Sequence, residues 1–177
     1  MIGFRNTDPR WPFLRSDATQ APGRWHGHGE GPTNYFADTP AGAWAEFLRH
    51  EEITEAADLA GVRRSLWAVE LPEADYVRPT LPTRVLRGDP SHYERCRAEA
   101  RRLRASGHTR LRTPSAALQA GVASGWSCTP HETPITAPRN GVVFVLFGAP
   151  EDLVGWPASE AGQPPARVLP LVRHFTA

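Results

Sequence analysis

The stretch GRWHGHGEGPTNYFADTPAGAWAEF, Gly23 to Phe47, changes character twice along its length. Glycine and histidine punctuate its first part, which reads as a turn. Thr33 to Ala37 then brings β-branched and aromatic side chains together in a short run, a strand signal. Thr39 followed by Pro40 opens a helix, because the threonine hydroxyl can accept a free backbone N–H and proline at the first helical position loses no bond. That helix is expected from about Pro40 to Glu51, with Trp44, Phe47 and Leu48 as its apolar stripe and Glu46 turned away from it.

Outward from this segment, Asp89 and Pro90 repeat the helix-start signal, and Gly107 suits a left-handed cap at the far end. Tyr93, Cys96, Ala100 and Leu103 give the second helix its buried stripe. Further strands are expected at Ser65 to Leu71, Thr109 to Arg112, Val142 to Phe147 and Val168 to Phe175. The Pro- and Gly-rich run from Gly148 to Pro165 reads as a long surface loop. Without regular βαβ alternation or an internal repeat, the pattern is α+β and not a doubly wound nucleotide fold.

The length of 177 residues predicts a single domain, 1–177, with a core of its own. All 20 basic residues are arginine, which excludes chemistry needing a side-chain amine, such as Schiff bases or a P-loop lysine. A net charge of +1 argues against direct nucleic-acid binding, since neutralising phosphates needs a clear basic excess. Cys96 and Cys128 are too far apart for a CxxC site and suggest a reducing compartment. The first residues lack the apolar core of a signal peptide, and Val142 to Phe147 is too short to span a bilayer. A soluble, cytoplasmic protein is therefore expected, with no membrane partner. Charge is uneven: residues 38–75 hold nine acids and three arginines, and residues 84–112 hold nine arginines and three acids, so the two segments could attract each other. Arg95, Arg97, Arg101, Arg102 and Arg104 could instead face an anion or simply water.

Three kinds of chemistry fit the polar residues. His26 and His28, with Glu30 and the more distant His50, have an HxH look, but the flanking glycine and the downstream acid fall at the wrong positions for a small-barrel metal site, so no metal is expected. Ser115 or Cys128 with a histidine could form a hydrolase, yet no GxSxG elbow surrounds a serine. The third reading needs one carboxylate, one guanidinium and an aromatic platform. These suffice to cleave a glycosidic bond to a good cationic leaving group such as the nicotinamide of NAD. Glu46 would stabilise the oxocarbenium-like ribose, Arg24 would clamp a pyrophosphate and Tyr35 would stack on a ring. Taken singly, a surface ion pair, a strand aromatic and a solvated helix acid account for the same three residues.

In order along the chain, GRW at Gly23 to Trp25, the tyrosine of NYFAD, TPAGAWAEFL, RTPSA at Arg112 to Ala116 and NGVVF from Asn140 resemble the RES-domain family, named for its Arg, Glu and Ser. The resemblance covers about residues 23–147. It implies an ADP-ribosyltransferase-like α+β fold with two small β-sheets and flanking helices. It also implies active-site roles for Arg24, Tyr35, Glu46 and Ser115: Arg24, Glu46 and Ser115 in catalysis, and Arg24, Tyr35, Ser115 and Asn140 in substrate binding. Members consume NAD as substrate, without a separate cofactor, and often act as toxins of toxin–antitoxin pairs. The implied activity is that of an NAD glycohydrolase or phosphorylase, with a protein ADP-ribosyltransferase or a non-catalytic interaction module as alternatives. Implied partners are NAD and a helix-turn-helix antitoxin of the Xre type, with a homodimer left open. HGHGEG, where the family more often has an Asn-Pro turn, and the tail after Gly148 depart from the pattern.

Overall fold

A computed structural model describes residues 1–14, 16–17, 19–124, 137–148 and 152–175. Six strands, β1 (Ile2–Thr7), β2 (Thr33–Ala37), β3 (Arg64–Glu70), β4 (Arg110–Pro114), β5 (Val142–Phe147) and β6 (Gly155–Gly162), form one antiparallel sheet in the order β4-β5-β2-β1-β3-β6. The helices are α1 (Pro40–His50), the single turn α2 (Thr83–Leu86) and α3 (Tyr93–Ala105). Among the described residues no helix is long and apolar enough to cross a membrane.

The sequence expectation of two small sheets is thus replaced by one, although the join is narrow. β2 pairs with β5 over five residues and β1 with β3 over six. Between β1 and β2 the register holds a single pair, Phe4 with Ala37. Beyond it the strands separate, and Arg5 reaches across to donate from its guanidinium to Asn34 Oδ1. Two three-stranded halves therefore meet at one ladder position, leaving a gap between the edges of β1 and β2.

Local chemistry explains the helices. Thr39 Oγ1 accepts from the N–H of Gly42 at 3.0 Å, with Pro40 at the first helical position, as the Thr-Pro pair predicts. Asp89 Oδ1 accepts from Ser91 N at the start of a 3-10 turn, Pro90–His92, that leads into α3. Gly107, at φ +84°, ends α3: its N–H donates to Arg104 O and the next N–H, of His108, donates to Leu103 O. This is the paired closure of a left-handed cap.

Both long helices pack on one face of the sheet. Trp44, Ala45 and Leu48 of α1 join Leu66, Leu118 and Val172, and Cys96, Ala100 and Leu103 of α3 join Trp25, Leu111 and Val145. Phe36, Val69, Leu71 and Phe144 fill the other face beneath Phe13 and Leu14. Tyr93 is only half-buried, and Glu99 takes a place in the α3 stripe, where its carboxylate accepts from Thr80 N and from Arg102.

Two further expectations are corrected. Val168 to Phe175 is not a strand; Ala166–Leu171 forms a 3-10 turn, consistent with Pro170, which has no N–H for a ladder. Within the expected loop, Gly155–Gly162 forms the edge strand β6, where Pro157 is tolerated because one side of an edge strand needs no partner. The uneven charge does not bring its two segments together broadly. Arg101 and Arg104 pair with Glu30, Arg102 pairs with Glu99, and among the described residues Arg110 with Asp75 is the one ion pair between the segments.

Gly3 lies beside the join, where an added Cβ would sit 2.5 Å from Leu71 Cδ1 and 2.9 Å from Phe36 Cβ. Gly3→Ala is expected to destabilise the protein by about 1–3 kcal/mol, read as a lower urea midpoint at unchanged slope. Gly61→Ala, at a position with open space, should stay within about 0.5 kcal/mol.

Candidate functional site

The gap between β1 and β2 opens into a cavity of roughly 380 Å³, in the size range of small-ligand sites. Phe4, Arg5 and Asn6 line one side, Tyr35, Phe36 and Ala37 the other, and α1 supplies Glu46, Phe47 and Arg49. The turn before β2 brings Arg24, and α3 brings Tyr93. Arg24, Tyr35 and Glu46, three of the residues singled out in the sequence, thus share one cavity.

Ser115 lies behind that wall. It is 1% exposed, follows β4, and donates from Oγ to Glu46 Oε1 at 2.7 Å. Ser115 Oγ also accepts from the N–H groups of Leu118 at 3.1 Å and Ala117 at 3.3 Å. A hydroxyl held on three sides, with a carboxylate as acceptor, fixes the Glu46 rotamer and is poorly disposed to meet a ligand. Its expected place in substrate binding is therefore revised to support of Glu46. Asn140 is exposed; its Oδ1 accepts from Gly121 N at 2.9 Å, and it does not line the cavity. Cys128 lies outside the described residues. Cys96 is buried and free, and burial pushes its thiol up.

Tyr35 lines the cavity with its ring, while its hydroxyl accepts from Trp25 N at 3.0 Å and bonds His26 Nδ1 at 2.8 Å. Burial raises the phenol's pKa. The other nitrogen of His26 meets Ala21 O at 2.8 Å, so both are engaged, and burial lowers the imidazole. Glu30 accepts from Gly27 N and pairs with Arg101 and Arg104. HGHGEG is thereby organised as a hydrogen-bonded turn that holds Arg24 and Tyr35 in place. No group of three metal-ligating side chains occurs among the described residues.

The positive charge has an unusual setting. Arg24 donates to Val85 O at 3.3 Å and Gly88 O at 2.7 Å, with its guanidinium 4.5 Å from the Tyr93 ring centre. Arg49, which the sequence reading did not single out, is 4% exposed; it donates to Gly88 O at 2.9 Å and to Ala116 O, and lies 4.4 Å from the Phe175 ring centre. Burial and then repulsion by Arg24 lower its pKa to about 10, which leaves it charged at neutral pH. Arg173, exposed, donates to Ala116 O and Arg87 O. Among the described residues none of these three guanidiniums has a carboxylate within ion-pair distance, and all rest on backbone carbonyls. Guanidiniums held on backbone carbonyls at a cavity wall, with no carboxylate in direct ion-pair contact, can receive an anion. The i, i+3 spacing of Glu46 and Arg49 was the available signal for the missed arginine.

Ser115→Ala removes a bond to Glu46 and strands the Leu118 amide, leaving Ala117 N only its longer bond to Glu46 Oε1, so a loss of about 1–3 kcal/mol of stability is expected in urea titrations. Glu46→Gln keeps an acceptor for Ser115 and should cost less than about 1 kcal/mol. Equal losses would contradict the supporting role of the serine.

A family model described as "RES domain" matches residues 4–129, which takes in most of β1, both long helices and β4. No curated protein matches the chain. The match begins well before the Gly23 at which the quoted motifs start and leaves β5, β6 and Phe175 beyond it. Spanning residues 4–129 of 177, it shows that this chain belongs to the RES-domain family.

Proposed function

We propose that the chain is an NAD-consuming enzyme that cleaves the bond between nicotinamide and ribose, acting as a glycohydrolase or phosphorylase and serving as the toxin of a toxin–antitoxin pair. Family membership points to NAD-utilising chemistry in general. The observation that carries the finer reading is the buttressed Glu46 carboxylate in one cavity with the uncompensated guanidiniums of Arg24 and Arg49. An ADP-ribosyltransferase-like reading of the fold is supported by the two half-sheets that meet at a single pair.

In this reading Arg24 and Arg49 exchange backbone carbonyls for the pyrophosphate oxygens of NAD. Glu46, held by Ser115, accepts a hydrogen bond from a ribose hydroxyl and lowers the energy of positive charge developing on the ribose as neutral nicotinamide departs. Water entering at the anomeric carbon gives ADP-ribose and a proton; phosphate gives ADP-ribose 1″-phosphate. The Tyr35 ring forms a wall, and its pinned hydroxyl keeps that wall rigid. No covalent enzyme intermediate is needed, so Ser115 positions and does not attack.

Incubation with NAD, with and without phosphate, followed by chromatography tests the reaction and the acceptor together. Glu46→Gln should slow nicotinamide release by about a hundredfold or more, the equivalent of ~3 kcal/mol of lost transition-state stabilisation; a fully active variant would overturn the assignment. Arg24→Lys should weaken ADP-ribose binding nearly as much as Arg24→Ala, because a point charge cannot reproduce a two-pronged contact. Wild-type affinity in the lysine variant would reduce Arg24 to a general positive charge.

A further inference from the structure

Buried polar atoms almost always have partners, so those that lack them at a cavity wall indicate what the cavity receives. Among the described residues, four that line the cavity have such atoms: both Oδ1 and Nδ2 of Asn6, Nε of Arg49, Nε of Arg64 and Oγ1 of Thr113. Asn6 stands apart because its whole amide, donor and acceptor together, is unpartnered. Alternation along β1 puts it on the same face as Phe4, which packs against the α1 core. It lies opposite Leu66 on β3, one same-face step from Arg64, whose guanidinium lies 5.0 Å from the Phe47 ring centre.

The cavity consequently has two chemically distinct ends. Arg24 and Arg49 meet at Gly88 O, and Arg24 stacks on Tyr93 of α3, which packs over the β4-β5-β2 half. Asn6 and Arg64 belong to the β1-β3-β6 half. Glu46 lies on α1 next to Phe47, whose ring faces Arg64, and three positions before Arg49, which reaches Gly88 O, so α1 carries it between the two ends. The ligand of the proposed reaction has the same order: an anionic pyrophosphate, the ribose whose bond breaks, and a ring bearing a carboxamide.

We propose that Asn6 is the specificity-determining residue for the leaving group, its amide pairing with the carboxamide of nicotinamide, N–H to C=O in both directions. A side-chain amide is suited to this, since it supplies one acceptor and two donors at fixed spacing. The separation of β1 from β2 frees this side chain for a ligand. This inference rests on the NAD reading and adds to it the recognition of the nicotinamide half.

Calorimetric titration of the wild type and Asn6→Leu with ADP-ribose and with carba-NAD, whose glycosidic bond is not cleaved, separates the two halves of the ligand. The wild type should bind carba-NAD more tightly than ADP-ribose. Asn6→Leu should lose about tenfold or more in carba-NAD affinity and keep its ADP-ribose affinity within about twofold. Its ligand-free melting temperature should not fall, because an unpaired polar group has been removed. Unchanged carba-NAD affinity, or equal losses for both ligands, would overturn the assignment. If the variant folds poorly, the wild type with the 3-acetylpyridine analogue of NAD, in which a methyl group replaces the amide NH₂, decides: KM should rise about fivefold or more, and an unchanged KM overturns the proposal. A wild type that binds ADP-ribose but gains nothing from the nicotinamide half sinks the Asn6 proposal alone; one that binds neither ligand sinks the NAD reading and this proposal with it.

Discussion

The parting of β1 from β2 after the Phe4–Ala37 pair is the constraint on which the rest depends. A continuous ladder there would close the sheet and bring the two edges to about 5 Å. Because it stops, the sheet edges that would have met become cavity walls. α1, which follows β2 directly, carries Glu46 to the opening. The apolar residues that keep the halves together lie above and below the gap: α1 with Leu66 and Leu118 on one face, Phe36 with Leu71 and Phe144 on the other. The sheet can afford its break because helix packing, and not strand pairing, spans it.

A second feature is the use of backbone carbonyls as holders of positive charge. Arg87 donates to Ser115 O and Leu118 O, while Arg49 and Arg173 donate to Ala116 O. The same turn thus receives three guanidiniums on its carbonyls and presents its amides to Ser115 Oγ, which in turn holds Glu46. Carbonyl partners satisfy N–H groups without cancelling charge, so a positive field persists in a partly desolvated cavity. Carboxylate partners in their place would have quenched it. The arrangement ties Glu46 and Arg49 to one loop, while Arg24 rests on the carbonyls of Val85 and Gly88.

Some of this was legible along the chain. The Thr39-Pro40 cap, the Gly107 cap and the β-branched run of β5 rest on local chemistry, and each occurs where the residues predict it. β1 is not legible in the sequence because IGFRNT has no clean alternation: its neighbours on both sides, not its own residues, make it a strand. β6 was hidden for a related reason, since an edge strand with Gly155, Pro157 and Gly162 looks like a loop until β3 supplies its partner. The reverse occurred at Val168–Phe175, whose apolar pattern belongs to a 3-10 turn packed under α1.

The sequence by itself determined the α+β class, the two capped helices and the ordered motifs that place Arg24, Tyr35 and Glu46 on a turn, a strand and a helix. Those properties depend on residues within a few positions of one another. Only the tertiary structure decided that Ser115 stands behind Glu46, that Asn140 lies away from the cavity, that Arg49 is a buried cavity arginine, and that the amide of Asn6 has no partner among the described residues. Each of these depends on contacts between segments distant in sequence, or on their absence: Ser115 and Glu46 are 69 residues apart. Hydrogen-bond satisfaction belongs to the folded molecule as a whole, since a donor has or lacks a partner only once every neighbouring segment has taken its place.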